Sequence, residues 1–566
     1  MITVRDFDET TLKALLVAAS HNLSEEGGNP FVADKRQVEF LLRYLSRLET
    51  TRIVVEPRYV DKDFLEDFAA YHVRSFHAYE RLCTRLHFFA GEVDEPRLHA
   101  AMLDPVAAKA LNLDYRGFVV VRPLPDTIIG RTCLRTFNQK PGVKRVYPTL
   151  YTQHVNLFGI ELDVETVAFQ EQDRDVAACA TSALWSVLQK TGRLFQHAIP
   201  SPVQITGTAA ATGGYDERML PAIAGLTIRQ IADALRFVGL EPHLLPLEVH
   251  AEETALHFEG GGGTAAAAAA AAQADAERRR RQAEDEIARS RMKLLLATAA
   301  YLSAGIPCML LVRVTETFDG ELDRIANHAV ALTGYRIGGG EAQDYGATGL
   351  RFRASRIDRL FVHDDHVGPF AAMDLKPKGM LEIVWPNGGS TTPLRARSHT
   401  LVVPLNHKIR IPFSAILELA IAIAGLADSA RKTVKDYERL GGRPFEWDIA
   451  LSPLKDLRAA IAAGPLSEGR RVELLTTPMP RYAWRIAAVE GERSLVEILL
   501  DATDLVQGEM LIDVLVNDEA AGQMLGSLFA TANEEFDISP AHRRIRLALS
   551  DLVNRQEPPE KTAAAD

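Results

Sequence analysis

A chain of 566 residues with 47% apolar and 25% charged side chains is long and apolar enough for several packed domains. Its 75 acidic against 64 basic side chains leave a net charge of −11, which excludes the basic surface that bulk nucleic-acid binding needs. Four cysteines, none in a CxxC pair, exclude a disulfide framework and the common zinc spacings, and the acidic start MITVRDFDETTLKALL is not a secretory signal, so a cytoplasmic setting is expected.

Residues 1 to about 115 read as helical. Thr11 to Ala19, Arg36 to Leu48 and Lys62 to Leu86 each carry apolar residues at three- and four-residue spacing. The third contains His72 and His77, with His87 just after it. Five residues on a helix is about 140° of rotation, so His72 and His77 do not share a face as metal ligands would. Packed or hydrogen-bonded histidines are expected there, and Cys83 as core. From Gly117 the period changes. GFVVVRPL predicts a strand, and VNLFGIELDVETVAFQ predicts two strands with a turn at Phe158-Gly159. These deliver the chain to FQEQDRDVAACATSALWSVL, an extended segment running into a helix with Cys179 near its start.

FQHAIPSPVQITGTAAATGGYDERMLP then reads as a loop. LTIRQIADALRFVGLEPHLL reads as a helix with Thr227 as N-cap and Gly239 as stop. Residues 259–290 combine four glycines, eight alanines and a run of both charges. That composition predicts a flexible hinge and a solvated helix, an insertion that leaves the core around it intact. The Arg278 to Arg281 run, set among acids, is a solvated face. MKLLLATAAYLSAGIPCMLLVRV predicts a helix ending at Gly305 and a buried strand from Cys308 to Val314. NHAVALTGYRI, LFVHDDHVGPFAAM, LEIVWP and TLVVPLNHKIRIP predict further strands. The apolar run from Phe413 to Ala427 is short and interrupted for a membrane span and reads as part of a buried helix over 413–440. The remainder to about 555 mixes strands and helices, and 556–566 has the composition of a disordered tail.

Three residues can carry chemistry together. Cys179 stands in the first turn of its helix, with Asp173 or Asp175 as a possible cap, and the positive end of a helix dipole favours a thiolate there. His328 begins an apolar strand, which holds a histidine rigidly, as a general base must be held. Asp364 ends the next strand, where a carboxylate can fix the imidazole tautomer. Cys308 lies within an apolar strand and is expected to be inert core. HDDH at 363–366 has metal-ligating residue types, but successive strand residues face opposite ways, so Asp364 and Asp365 are not expected to share a centre. No metal and no cofactor is expected, and the sequence has no GxxxxGK[ST] phosphate loop.

The order of features is Gln172 and Cys179 on a helix, GLTIRQIADALRFVGL, AGIPCMLLV, NHAVALTGY and VHDD. Over about residues 165–375 this resembles the papain-like cysteine peptidases of the double-glycine leader peptidase type. The resemblance implies an α+β fold with a papain-like core. It implies Cys179 as nucleophile, His328 as base, Asp364 as its orienter, and Gln172 assisting the Cys179 backbone N–H at the oxyanion. The sequence departs from that family at three places. Asp173 stands six residues before the cysteine, where the family has its glutamine. Ala180-Thr181 replaces Gly-Pro, and Asp364-Asp365 replaces Asp-Pro.

The expected organisation is a mainly helical region 1–160 ending in strands, a papain-like catalytic domain 161–412 interrupted at 259–290, and an α+β region 413–555. The expected function is a cysteine hydrolase cleaving an amide bond of a protein or peptide substrate, without nucleic-acid or membrane partners. A non-catalytic scaffold of the same fold, or transglutaminase-like or deamidase acyl transfer by the same triad, are the alternatives.

Overall fold

The computed structural model describes the chain except residues 1, 21–28, 77, 138, 140, 174–177, 212–224, 248–264, 319–320, 346–348, 384–393, 432–444, 505–508, 531–538 and 554–566. The expectations for His77, the Asp175 cap, the glycine hinge at 259–264, residues 432–440 of the helix after Phe413 and the tail at 556–566 lie outside the described residues. The protein is α+β and divides into two compact units. One comprises Met1–Gly260, Gly305–Gly338 and Ile357–Asn406, the other Gly261–Ala304, Gly339–Arg356 and His407–Asp566.

The first unit opens with a sheet and not with helices alone. β1 (Thr3–Asp6) precedes α1 (Glu9–Ala19) and α2 (Arg36–Arg47), and β2 (Thr50–Tyr59) leads to α3 (Lys62–Ala70). β3 (Cys83–Ala90) is followed by α4 (Glu95–Leu103), α5 (Pro105–Asp114), β4 (Tyr115–Val121) and β5 (Ile129–Leu134). The five strands pair antiparallel in the order β1-β2-β3-β4-β5. Aspartates start the helices where the sequence offers them. Asp8, Asp61 and Asp94 accept from the backbone N–H three residues on, at 2.8, 3.0 and 2.9 Å.

The expected helix from Lys62 to Leu86 therefore ends at Ala70, and its last four residues, from Cys83, belong to strand β3. The physical reason is burial. β3 is the central strand of the sheet and is buried along nearly its whole length, so CTRLHFFA lacks the polar–apolar alternation that marks a half-exposed strand. Cys83 and His87 are both core. His87 Nδ1 and the Tyr115 hydroxyl lie 3.0 Å apart.

β6 (Lys144–Val146), β7 (Tyr151–Leu157) and β8 (Ile160–Thr166) follow. β7 and β8 form the expected hairpin, turning through Phe158 and Gly159 with φ of 52° and 92°. Both positive values match the right-handed twist of the strands. α6 (Cys179–Phe195) comes next. α7 (Pro202–Ala211) occupies part of the stretch expected as loop, and α8 (Ile228–Phe237) is capped by Thr227 as expected.

β9 (Leu240–Pro246) precedes the helix Ala265–Ser303, and β10 (Cys308–Phe318) and β11 (Glu321–Ile337) return the chain to the first unit. β12 (Arg351–Phe352) belongs to the second unit. β13 (Ile357–Asp364), β14 (Gly368–Leu375), β15 (Met380–Ile383) and β16 (Leu394–Asn406) complete the first. These strands run antiparallel in the order β10-β11-β13-β14-β15-β16, and β10 also pairs with β16, so six strands close into a ring. β6 attaches to β11 and β9 to β16. One core joins α6 to both sheets. Leu184, Trp185 and Leu188 pack with Tyr115 and Phe118 of the first sheet and with Met309, Ala329 and Val402 of the ring. Removing a fully buried Trp185 side chain from such a core costs about 3–5 kcal/mol.

The unit boundaries differ from the three-part division read in the sequence. The N-terminal sheet shares its core with the ring, and the charged run after the alanines is an exposed helix, as expected. It continues as a single helix into MKLLLATAAYLS, whose buried residues Leu294–Leu296 and Ala300–Leu302 anchor it in the second unit. That unit carries β17 (Glu446–Pro453), β18 (Tyr482–Glu490), β19 (Arg493–Asp501) and β20 (Leu511–Val516), with β12 parallel to β17 and the rest antiparallel. Helices Phe413–Arg431, Leu454–Ala463, Glu468–Thr476, Glu519–Ala530 and Pro540–Ser550 belong to it as well. Phe413, Ile416, Ile423 and Ala424 are buried, as expected of that apolar run. Among the described residues no helix is long and apolar enough to cross a membrane.

Candidate active site

From Phe169 to Asp173 the chain before Cys179 is held by named contacts. Phe169 pairs with Thr132 of β5 through backbone bonds of 2.7 and 2.9 Å, and the Glu171 N–H donates to the Ile129 carbonyl at 2.9 Å. The buried Glu171 carboxylate pairs with Lys35 and accepts from the Ile129 N–H at 3.2 Å. Asp173, also buried, lies 2.9 Å from His72 Nε2. α6 then begins at Cys179 itself. Asp173 is thus the partner of His72 and not the helix cap. The capping position is Ala178, whose N–H donates to the Thr181 hydroxyl at 3.3 Å.

Cys179 is half-buried at the first position of α6, where its backbone N–H has no intrahelical acceptor. The other three cysteines are buried. Burial pushes the Cys133 thiol up to about 12 and pushes Cys83 and Cys308 up as well. Cys308 is inert core, as expected.

α6 packs on β11, and β11 presents His328 to Cys179, whose side chain favours the protonated imidazole. His328 stands inside β11 and not at its start, opposite Val312 of β10. Its Nε2 lies 3.0 Å from Asp364 Oδ1, which leaves Nδ1 for the thiol. Asp364 closes β13 and is wholly buried. Its Oδ1 also accepts from the His366 N–H at 3.0 Å.

Burial disfavours a proton on His328. The Asp364 charge and hydrogen bond, the Cys179 hydrogen bond and the Asp365 charge outweigh it, so its pKa stands well above the ordinary value. Asp364 shows the converse. Burial pushes its carboxyl up, but the His328 charge and hydrogen bond hold it below the usual range. The arrangement favours a protonated imidazole facing a deprotonated carboxylate.

The HDDH run divides three ways. His363 faces inward, with Nδ1 accepting from the Phe370 N–H at 3.1 Å and Nε2 3.0 Å from the Val167 carbonyl. Burial holds its pKa down to about 3, so it is a neutral structural residue. Asp364 supports His328. Asp365 points the same way, with Oδ1 3.8 Å from His328 Nε2 and Oδ2 3.8 Å from His366 Nε2. Alternation along a strand was expected to keep Asp364 and Asp365 apart. It does not, because β13 ends at Asp364 and the turn through Val367 swings Asp365 round to the same imidazole.

The first sheet's helices shape this turn. Gln37 of α2 donates to the Asp365 carbonyl at 3.0 Å. A Cβ on Gly368 would lie 2.3 Å from the Phe40 ring, so the turn requires glycine there.

The structure therefore brings Cys179, His328 and Asp364 together. Gln172 is half-buried in the pinned segment and makes no hydrogen bond to the triad among the described residues. Two features escaped the sequence reading. Asp365 and His366 belong to the site, and their signal was HDDH, discounted by the alternation argument. The His72–Asp173 pair left no signal, because it joins residues distant in the chain. No protein-family model matches this chain, and no curated protein matches it either.

Proposed function

We propose that the protein is a papain-like cysteine hydrolase that cleaves an amide bond of a protein or peptide through an acyl-enzyme on Cys179. The observation that carries this reading is the continuous side-chain chain Cys179–His328–Asp364, with the cysteine half-exposed at a helix start and the other two buried. A helix resting on an antiparallel sheet that supplies the histidine and the acid supports the papain-like core.

In the reaction, the Cys179 sulfur attacks the carbonyl carbon. His328, protonated beside Asp364, gives its proton to the leaving amine as the carbon–nitrogen bond breaks. Water then attacks the thioester. His328 takes a proton from it, the carbon–sulfur bond breaks, and the acid leaves with Cys179 restored. The oxyanion is received by the Cys179 backbone N–H at the start of α6, with Gln172 as the second donor.

The test is alkylation with iodoacetamide near pH 6, with the adducts mapped. Selective labelling of Cys179 that His328→Ala abolishes supports the reading. Labelling no faster than that of Cys83 or Cys133 would overturn it.

A further inference from the structure

We propose that His328, Asp365 and His366 form a binding site for a zinc-type divalent cation, and that loading it withdraws His328 from the triad. This rests on the proposed triad only for its consequence, since the site itself stands on its own geometry.

One ligand atom from each of the three residues lies within 4.8 Å of the other two. Asp365 spans the pair, one oxygen 3.8 Å from each Nε2. The two imidazoles stack with centroids 4.8 Å apart and planes 20° from parallel. In a tetrahedral site with bonds of about 2.0–2.1 Å, ligand atoms sit roughly 3.3–3.5 Å apart. Two of the three separations are within a few tenths of an ångström of that. The third closes by rotation of His366, whose side chain is 48% exposed.

A second observation points independently to a cation. Asp365 is 4% exposed, and neither of its carboxylate oxygens has a hydrogen-bond partner among the described residues. A buried carboxylate is costly unless charge or hydrogen bonds compensate it. Two imidazole nitrogens and one carboxylate form a borderline donor set that suits zinc. Magnesium and calcium prefer all-oxygen shells. The exposed face of His366 gives the ion a way in.

The consequence follows from atoms already committed. Nε2 of His328 cannot hold both a metal and the hydrogen bond to Asp364. With the metal on Nε2 the imidazole keeps its one proton on Nδ1, so that nitrogen has no lone pair left to take the Cys179 thiol proton. Zinc would switch Cys179 chemistry off, and a chelator would restore it.

The experiment measures zinc binding by the full chain at pH 7 in competition with a chromophoric chelator. Wild type and Cys179→Ala are expected to bind one zinc with similar affinity. His366→Ala and the near-isosteric Asp365→Asn should bind at least tenfold more weakly, with far-UV circular dichroism checking that each variant is folded. Zinc should slow alkylation of Cys179 in wild type and not in His366→Ala. Loss of zinc binding in Cys179→Ala would place the ion on the thiol and overturn this ligand set, as would undiminished binding in both His366→Ala and Asp365→Asn. Metal-free alkylation reports on the triad alone and zinc affinity in Cys179→Ala on the metal site alone, so either idea can fail without the other.

Discussion

Two buried histidine–carboxylate pairs flank the cysteine segment, and their geometry is nearly the same. His72 and Asp173 lie 2.9 Å apart, His328 and Asp364 3.0 Å apart. Their surroundings differ. His72 sits among Phe64, Tyr71 and Tyr79, with ring centroids 6.0, 5.5 and 5.3 Å away, and its Nδ1 has no hydrogen-bond partner among the described residues. His328 has the Cys179 side chain and a second carboxylate beside it. One pair anchors the chain before Cys179 and the other faces Cys179. A histidine bonded to an acid is therefore no sign of catalysis until a third group that can react lies within reach.

The sharpest way to break this contrast is to remove each histidine in turn. His328→Ala should lower the alkylation rate of Cys179 at pH 6 by roughly a thousandfold, since triad members act as a unit. Mass-spectrometric mapping over a time course reads it. His72→Ala should leave that rate within a few-fold of wild type and instead cost roughly 1–3 kcal/mol of stability, because Asp173 would stay buried without its partner. Denaturant melts measure this. If the two variants lose labelling alike, the pairs are not different in kind.

Asp364→Asn is expected to have the next largest effect. It removes the strongest upward influence on His328, so the imidazole's titration should move to lower pH, read by NMR. Alkylation at pH 6 should fall about 10–100-fold. The signs for stability are opposite within the pair. The raised His328 contributes stability that is present below its unfolded value and lost as pH climbs through the folded one. The depressed Asp364 contributes stability that is present above its unfolded value and lost as pH falls through the folded one. His328→Ala should accordingly flatten the alkaline side of the stability profile. The smallest effect belongs to Cys83→Ala. This core truncation should cost about 1 kcal/mol or less and leave Cys179 labelling within twofold.

Much of the site was legible because local pattern and chemistry agreed. NHAVALTGY reads as a strand with a histidine in it, and Cys179 reads as the start of a helix, and each element is where its residues put it. The misreadings have causes that local pattern does not carry. β3 looks helical because both its faces are covered. Asp365 looked turned away because β13 was taken to continue through it, whereas the strand stops one residue earlier. Pairings between distant segments, such as His72 with Asp173 or Gln37 with Asp365, leave no local trace.

The closed ring has a consequence for how the protein is made. His328 lies on β11, yet the ring shuts only when β10 meets β16, whose last residue is Asn406. During synthesis Cys179 emerges first, His328 well afterwards, Asp364 later still and the closing strand last. Between β11 and β13 the chain also leaves to contribute β12 to the other unit. Contacts this far apart in the chain form late, since loop-closure entropy opposes them until many can form together. A growing chain thus carries Cys179 through the synthesis of a further 227 residues, to Asn406, before the ring can close around His328.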